Sequence, residues 1–416
     1  MIYAVLALML MFIIYRPTKG IILFYILSPI FKNIVLFNQN AFLYFNAIII
    51  ICYFITHFNR IKTIGKNPFC LCILLISASL LISNYYGYIR HTPTAIAKCL
   101  EYFSIFVVYD IYTHASRQIL NFTFKAILIF ALIVCFNGLI EVITQQNILL
   151  MLLIKSGIYP PDTAVITEVR YGLKRAQSLF QMHTSLGGYC LITFSFLFYL
   201  KKYINYNHKY IGLCVVMLLM CLFFTGARSA IIGFVISLMT FISIKDVKSA
   251  KGFFGIFALF ALLILFQNYI NEIFGSIVNS NNANIGSSTD MRDTQFTICT
   301  YYFLQSPIVG NGISYIWETA LAYDKEILGA ESMWLPIMVD QGTLGIIATI
   351  VIYLSMVIFL YRHKLIKYSF AVLGFLIFNS MSSIPAISEC YLIYSLIILS
   401  SIYKYKFINM TAQSKQ

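Results

Sequence analysis

The sequence predicts an all-α fold, a polytopic bundle of about 12–13 transmembrane helices with two large external loops that carry short helices. Three observations lead to this prediction. The chain has 416 residues, of which 60% are hydrophobic and only 11% are charged, whereas a soluble domain carries about 25% charged residues. Apolar runs long enough to cross a bilayer recur along the chain. Short loops bearing Lys or Arg separate these runs, so residues 1–416 are expected to form a single integral membrane domain.

The apolar runs give the predicted spans. No basic segment precedes residues 1–15, so we interpret them as the first span and not as a cleavable signal peptide. Most of the ten cysteines lie inside the runs, where they behave as small hydrophobic residues. Their spacing does not match a metal site, and we expect neither a metal nor a cofactor. In chain order the predicted spans are approximately 2–15, 20–37, 41–58, 69–89, 95–112, 126–145, 184–200, 210–226, 229–244, 253–270, 334–361, 369–385 and 389–403.

The net charge of +14 is distributed along the chain in the pattern of a membrane protein. Most basic residues fall in alternate loops, which predicts that those loops and the C-terminus face the cytoplasm. The opposite short turns hold only four basic residues, Lys32, Arg90, Lys98 and Arg228. Because the positive charge forms no single patch, nucleic acid is not an expected partner. This topology places both long loops, 146–183 and 271–333, on the outer face of the membrane.

The second long loop leads into the longest polar stretch of the chain, residues 287–345. Two short runs in it, 293–304 and 314–328, are predicted to form helices at the membrane surface. The sequence SPIVGNG between them, residues 306–312, predicts a sharp turn, because proline fixes its own φ and glycine permits positive φ.

Four arginines on the predicted outer face are the candidate phosphate ligands. They are Arg170 and Arg175 in the first loop, Arg228 in the turn TGARSA, and Arg292 in the second loop. A guanidinium offers a planar fork of donors that suits phosphate oxygens. The alternative for any one of them is contact with lipid headgroups at the membrane boundary.

The carboxylates of the outer region are candidates for proton transfer. Glu331 precedes the span that begins near Trp334, either as a general base or as an acidic residue at a helix start. Asp340 lies inside that span, where a carboxylate is costly, so it is either functional or held by buried hydrogen bonds. Glu101 and Glu141 near the outer ends of their spans carry the same two interpretations.

A further set of side chains is suited to sugar binding. Aromatic rings stack on sugars, although the aromatic belt of a membrane protein is the alternative explanation. The candidates for sugar contacts are Trp317, Trp334, Tyr301, Tyr302 and Tyr315. His183 is a candidate sugar ligand, base or phosphate donor.

Three motifs together resemble a known family. The first is RAQSLF before a glycine-rich span start, residues 175–188; the second is TGARSA, residues 225–230. The third runs from Arg292 through SPIVGNGISY to ES.W....VDQGTLG, ending at residue 345. They resemble the bacterial O-antigen polymerase and O-antigen ligase superfamily of polytopic membrane glycosyltransferases, which assemble surface polysaccharides such as lipopolysaccharide. The resemblance covers approximately residues 170–350.

The resemblance implies a substrate and a location. The substrate would be an oligosaccharide linked to undecaprenyl diphosphate, presented in the lipid bilayer at the outer face of the inner membrane. Arg175, Arg228 and Arg292 would hold the diphosphate of the donor, with Arg170 nearby. Fixed guanidiniums would stabilise the leaving group without a metal, and a single displacement would invert the anomeric centre. A chain-length regulator and a flippase of the same pathway would be partners.

Three functions remain open, with a repeat-unit polymerase for O-antigen or capsular polysaccharide in first place. Ligases to lipid A-core, and some polymerases, carry a histidine shortly before the late span, where this chain reads Gly329-Ala330-Glu331-Ser332. That departure favours the polymerase and leaves Glu331 as the nearest base. A flippase or transporter of lipid-linked oligosaccharide would be expected to show paired charges deep in the bundle and a repeat in its spans.

Overall fold

The computed structural model describes residues 2–32, 34–36, 39–59, 65–159, 169–170, 173–201, 208–241, 289–320, 330–382 and 389–413. Within these residues the regular secondary structure is helical apart from two antiparallel ladders of two residues per strand, β1 with β2 and β3 with β4. The all-α prediction is confirmed at this level. The helices are α1 (Ile2–Tyr15), α2 (Pro17–Ile26), α3 (Ser28–Phe31), α4 (Ala41–Thr56), α5 (Cys70–Tyr86), α6 (Thr92–Thr113), α7 (Arg117–Thr144), α8 (Ile148–Lys155), α9 (His183–Leu200), α10 (His208–Phe224), α11 (Arg228–Leu238), α12 (Thr289–Gln305), α13 (Trp334–Arg362), α14 (Ser369–Ser380) and α15 (Glu389–Gln413). The strands are β1 (Val35–Leu36), β2 (Gln39–Asn40), β3 (Val169–Arg170) and β4 (Leu173–Lys174).

The helices follow the apolar runs of the sequence. Among the described residues, α7 and α13 are long and apolar enough to cross a bilayer by length and composition, and several shorter helices are apolar. The number of spans stays a prediction, and the predicted span 253–270 lies outside the described residues. The predicted surface helix 293–304 is present as α12. A π-helical turn, Ile316–Ala320, occupies part of the predicted run 314–328.

The second predicted span, 20–37, was wrong as a continuous helix. The chain breaks at Leu27 between α2 and α3 and then enters the β1–β2 ladder. Pro29 supplies the physical reason, because it has no N–H to continue the helical hydrogen-bond pattern of α2. The apolar helix α8 lies inside the first long loop and agrees with the prediction that both long loops carry short helices, although no residue range was predicted for it.

Helix ends that were predicted to share a side of the membrane meet in the structure. Ser229, at the start of α11, bonds through its hydroxyl to that of Ser382 after α14, at 2.7 Å. At the opposite end of the bundle the rings of Tyr199 and Tyr368 lie 5.3 Å apart. We call the first of these the loop end; it carries residues 173–183, 225–228, 306–320 and 330–334.

Close backbone packing fixes the helices that carry the loop end. A Cβ at Gly233 of α11 would lie 2.5 Å from the carbonyl oxygen of Gly374 in α14, and one at Gly374 would lie 2.3 Å from that of Gly233. Glycine at both positions therefore lets the two helices touch, as small residues do between membrane helices. The contact holds the start of α11 and the end of α14 in a fixed relation.

Candidate functional site

The 306–316 loop is inserted into a break in α13. Gly342 has φ +65° and ψ −157°, which interrupts the helix. The N–H groups of Asn311 and Gly312 donate to the carbonyls of Val339 and Asp340 on one side of the break, at 2.9 and 3.1 Å. The loop thus supplies hydrogen-bond donors to helix carbonyls that lose their helical partners at the break.

The same loop also accepts hydrogen bonds from beyond the break. The N–H groups of Thr343 and Leu344 donate to the carbonyls of Pro307 and Ile308, at 2.9 and 3.2 Å. Within the loop, Gly310 and Gly312 have φ of +78° and +113°. The sharp turn predicted from SPIVGNG is confirmed, and its role is to satisfy the backbone of a broken helix.

Asp340 is the anchor of this loop. Its side chain is only 5% exposed, and its two carboxylate oxygens accept the N–H groups of Ser314 and Ile316, each at 2.9 Å. The hydroxyl of Ser83 in α5 donates to the Asp340 carbonyl. Of the two interpretations of Asp340, the structure supports the buried hydrogen bonds.

Trp317 follows directly on the anchored loop. Its side chain is 37% exposed, and its neighbour Glu318 contacts the ring Nε2 of His91 at 2.7 Å. His91 immediately precedes α6. The Trp317 segment is therefore attached both to α13 through Asp340 and to the start of α6.

Arg292 and Glu331 form an ion pair. The guanidinium Nη2 and Nε lie 3.2 and 3.4 Å from Oε2 of Glu331, and the two side chains are 42% and 29% exposed. Gln295, one turn along α12, accepts the N–H of Glu331 through its side chain at 3.1 Å. Two residues that lie 39 positions apart in the sequence are thus adjacent at the surface of the loop end.

Arg175 is buried against the turn that precedes Arg228. Its Nε donates to the carbonyl of Thr225 at 3.0 Å, and its Nη2 reaches the carbonyl of Gly226 at 3.5 Å. These carbonyls follow the C-terminal end of α10, where backbone acceptors are unsatisfied and positive charge is favoured. Arg228, half-buried, is the first residue of α11. The structure therefore places Arg175 against the turn that precedes Arg228. There the Arg175 guanidinium stabilises the turn by hydrogen bonds to its carbonyls.

Glu141 holds the segment that carries Arg175. One carboxylate oxygen lies 3.3 Å from Nζ of Lys174, with both side chains almost fully buried. The other oxygen accepts the N–H groups of Gln177 and Ser178, at 2.9 and 2.7 Å. The structure supports the structural interpretation of Glu141.

Two hydrogen bonds connect the start of α13 to the end of α14. The indole N–H of Trp334 donates to Ser380 at 2.9 Å, and the N–H of Met333 donates to the carbonyl of Asn379 at 3.0 Å. Since Ser382 also bonds to Ser229, the chain next to Glu331 is linked through α14 to the chain next to Arg228.

The other residues proposed from the sequence as substrate ligands lie on α12, in the 306–316 loop, at the start of α9 and in the β3–β4 ladder. Tyr301 is exposed on α12, whereas Tyr315 is buried and its ring lies 5.8 Å from that of Tyr302. His183 is the first residue of α9. For Arg170 only the backbone is described, paired with Leu173 in the β3–β4 ladder. Their roles in substrate binding stay predictions.

A cavity of about 230 Å³ opens beside the Trp317 segment. Lys32 and Glu101 form an ion pair within it, with Nζ 2.5 Å from Oε1. The Glu389 carboxylate lies 3.5 Å from both the Tyr102 hydroxyl and the Asn379 amide. Lining residues are Lys32, Ile76, Leu80, Lys98, Glu101, Tyr102, Trp317, Met333, Pro336, Ile337, Asp340, Gln341, Thr349 and Glu389. We call this space the loop-end cavity.

Sequence reasoning missed the loop-end cavity because its charged residues come from four separate parts of the chain. Lys32, Lys98 and Glu389 were not singled out as site residues. A signal was present, since Lys32 and Lys98 are two of the four basic residues in the short turns that were predicted to face outward. In the part of the chain that the structure describes, no three His, Cys, Asp or Glu side chains are placed to hold a metal ion.

The described part of the chain is thus a bundle of apolar helices with a cavity and ion pairs at one end. Residues 213–350 match the family model described as O-antigen ligase. This segment, about a third of the chain, confirms the resemblance to the O-antigen polymerase and O-antigen ligase superfamily, a bacterial membrane group of glycosyltransferase-like enzymes. It contains Arg228, Arg292 and Glu331, whereas Arg175 lies before it. No curated protein sequence matches the chain significantly.

Proposed function

We propose that this protein is a repeat-unit polymerase for O-antigen or capsular polysaccharide. It transfers a growing glycan from undecaprenyl diphosphate onto a new lipid-linked repeat unit. The observation that carries the proposal is the Arg292–Glu331 pair at the loop end. Both residues lie in the segment that matches the family, and Glu331 is two residues from Met333, which lines the loop-end cavity.

The arginines in this proposal bind the donor diphosphate. When the bond between the anomeric carbon and the diphosphate breaks, the electron pair leaves with the phosphate oxygens and negative charge accumulates there. Guanidiniums fixed in place stabilise that charge without reorganising. Arg228 and Arg292 are the direct ligands, and Arg175 holds the turn that positions Arg228 while adding its own positive charge.

Glu331 is the proposed base. Phosphate oxygens compete with the carboxylate for Arg292, so donor binding releases Glu331 from its ion pair. The acceptor hydroxyl oxygen then attacks the anomeric carbon, its proton passes to Glu331, and the diphosphate departs from the opposite face. One displacement of this kind inverts the anomeric configuration.

The proposed setting is the bacterial inner membrane, with the loop end in the periplasm and the C-terminus in the cytoplasm. The distribution of Lys and Arg supports this orientation, as does the meeting of helix ends that were predicted to share a side. A flippase that delivers the repeat unit and a chain-length regulator are the proposed partners.

An O-antigen ligase is the second candidate, because the matching family model carries that description. A ligase would transfer the finished glycan to lipid A-core. The absence of a histidine in the sequence at residues 329–332 favours the polymerase.

The test is deletion of the gene in its host, followed by electrophoresis of the surface glycan. A polymerase predicts loss of the long ladder with a single repeat unit left on the core. Complete loss of glycan on the core would indicate a ligase or a flippase and contradict the proposal.

The site residues are tested by complementing the deletion with variants at equal membrane levels. Arg228→Ala and Arg292→Ala should abolish the ladder, and Arg292→Lys should restore it in part, because the charge remains without the fork. Arg90→Ala is the matched control, since Arg90 is an exposed arginine between α5 and α6 that contacts the Tyr85 ring. Full ladders from both alanine variants would refute the diphosphate site.

A further inference from the structure

The loop-end cavity has a balance of charge that distinguishes it from a phosphate site. Its ammonium groups are those of Lys32 and Lys98, and its carboxyl groups are those of Glu101, Glu389 and Asp340. Lys32 is already paired with Glu101 at 2.5 Å. The lining thus has no surplus of positive charge with which to attract a diphosphate.

The other lining groups suit an uncharged polyol. Carboxylates accept and ammonium groups donate hydrogen bonds, and a hydroxyl can do both. The Tyr102 hydroxyl and the Thr349 side chain add further polar groups, while Ile76, Leu80 and Pro336 supply an apolar wall. A largely apolar pocket with a few placed polar groups is the usual form of a small-molecule site.

Trp317 gives the cavity a fixed aromatic surface. The ring is partly exposed, and its segment is held by the two hydrogen bonds to Asp340 and by the Glu318–His91 contact. An aromatic ring held in this way presents a large rigid face at low cost in conformational entropy.

The cavity is large enough for a sugar ring. Its volume of about 230 Å³ exceeds that of an engineered apolar cavity of about 150 Å³ that binds benzene, another six-membered ring. One sugar ring with its hydroxyl groups therefore fits that space.

From this geometry we infer that the loop-end cavity binds a single uncharged sugar residue, the end of the acceptor that carries the attacking hydroxyl. Glu101 and Glu389 accept hydrogen bonds from its hydroxyls, and Trp317 stacks on its ring. The identification of this sugar as the acceptor rests on the proposed function. The separation of an uncharged acceptor site from the arginines keeps two lipid diphosphates from competing for one position.

The test is intrinsic fluorescence, because the chain has only two tryptophans. The full-length Trp334→Phe variant leaves Trp317 as the sole reporter, in nanodiscs of phospholipid, since glycoside detergents would themselves supply sugar. The probes are uncharged methyl hexosides and methyl N-acetylhexosaminides, with inorganic pyrophosphate at matched ionic strength. We expect at least one glycoside to change the Trp317 emission saturably, and pyrophosphate to leave it unchanged.

Variants locate the site. Glu101→Gln and Glu389→Gln should weaken the glycoside response about tenfold, the loss of one hydrogen bond to a charged group. Asp110→Asn is the control, because Asp110 lies on the same helix α6 at the opposite end of the bundle. If Glu101→Gln does not fold, the glycoside response of Glu389→Gln alone is compared with that of Asp110→Asn.

Several results would overturn the inference. These are no response to any glycoside, an equal response with Asp110→Asn and the cavity variants, or a response only in Trp317→Phe, which reports from Trp334. A response to pyrophosphate would assign the cavity to a phosphate or a lipid headgroup instead. Binding is measured without catalysis, so a sugar response in a protein that makes no polymer would leave this site standing and refute the proposed function alone.

Discussion

Replacement of Asp340 with alanine should release the 306–316 loop from α13. The wild-type carboxylate accepts two backbone N–H groups at 2.9 Å in a buried position. A hydrogen bond to a charged group contributes about 1.5–3 kcal/mol, so the loss of two costs on the order of 3 kcal/mol or more. A change of that size raises the population of the open loop about 100-fold, because 1.4 kcal/mol corresponds to a factor of ten.

Cys299 reports the opening. It is fully buried in a cluster with Tyr315 and Ile316 of the loop. Burial, and to a smaller extent the Asp340 carboxylate, raises the pKa of the Cys299 thiol to about 12. In the wild type we therefore expect almost no reaction with a membrane-impermeant maleimide near neutral pH, measured on the Cys299 peptide by mass spectrometry.

The comparison with Asp340→Asn separates two causes of faster labelling. Both variants remove the charge that raises the pKa of Cys299, but asparagine keeps one acceptor oxygen for the loop. Asp340→Ala should therefore label faster than Asp340→Asn, and both faster than the wild type. Equal rates in Asp340→Ala and the wild type would refute the view that this carboxylate holds the loop.

Gly342→Ala should destabilise the protein, because the backbone conformation alone costs an alanine about 1–3 kcal/mol and its Cβ would lie 2.6 Å from a carbonyl oxygen; Gly212→Ala, in open space on α10, should leave the melting temperature unchanged or higher. Glu141→Gln should cost about 3–5 kcal/mol by leaving the Lys174 ammonium buried without its partner. Adding Lys174→Met should recover part of that loss in thermal unfolding, and no recovery would contradict the ion-pair argument. Arg175→Lys should lower the melting temperature, because an ammonium cannot bond both turn carbonyls as the fork does; an unchanged value would show that these bonds contribute nothing.

Most of the fold was predictable because apolar runs directly indicate helices in a chain of this composition. The break at Leu27 was missed because most of the run 20–37 is apolar, and the single proline in it, Pro29, decided where the helix ends. The turn at residues 306–312 was predictable because glycine at positive φ leaves a trace in the sequence. The insertion of this turn into α13 was not predictable, because its partners are backbone carbonyls, which every residue carries and which leave no trace in the sequence.

The candidate site was predictable only where one stretch of sequence contained both partners. Arg292 and Glu331 were chosen from one polar stretch, and the structure pairs them. Arg175 was identified as a cation, but its carbonyl partners at Thr225 and Gly226 could not be read from side chains. The loop-end cavity needed the three-dimensional structure, because Lys32 and Glu389 lie at opposite ends of the chain.

The insertion of the 306–316 loop into α13 imposes an order on biosynthesis. The loop also contacts an earlier part of the chain, since the N–H of Ile89, between α5 and α6, donates to the carbonyl of Asn311. It therefore joins the early helices α5 and α6 to the late helix α13. Chains are made from the N-terminus, and a nascent chain that ends before Val339 has the loop but not the carbonyls it completes. The loop end of such a chain stays unassembled until α13 emerges, so truncated products should be substrates for membrane proteases and not partly active enzymes.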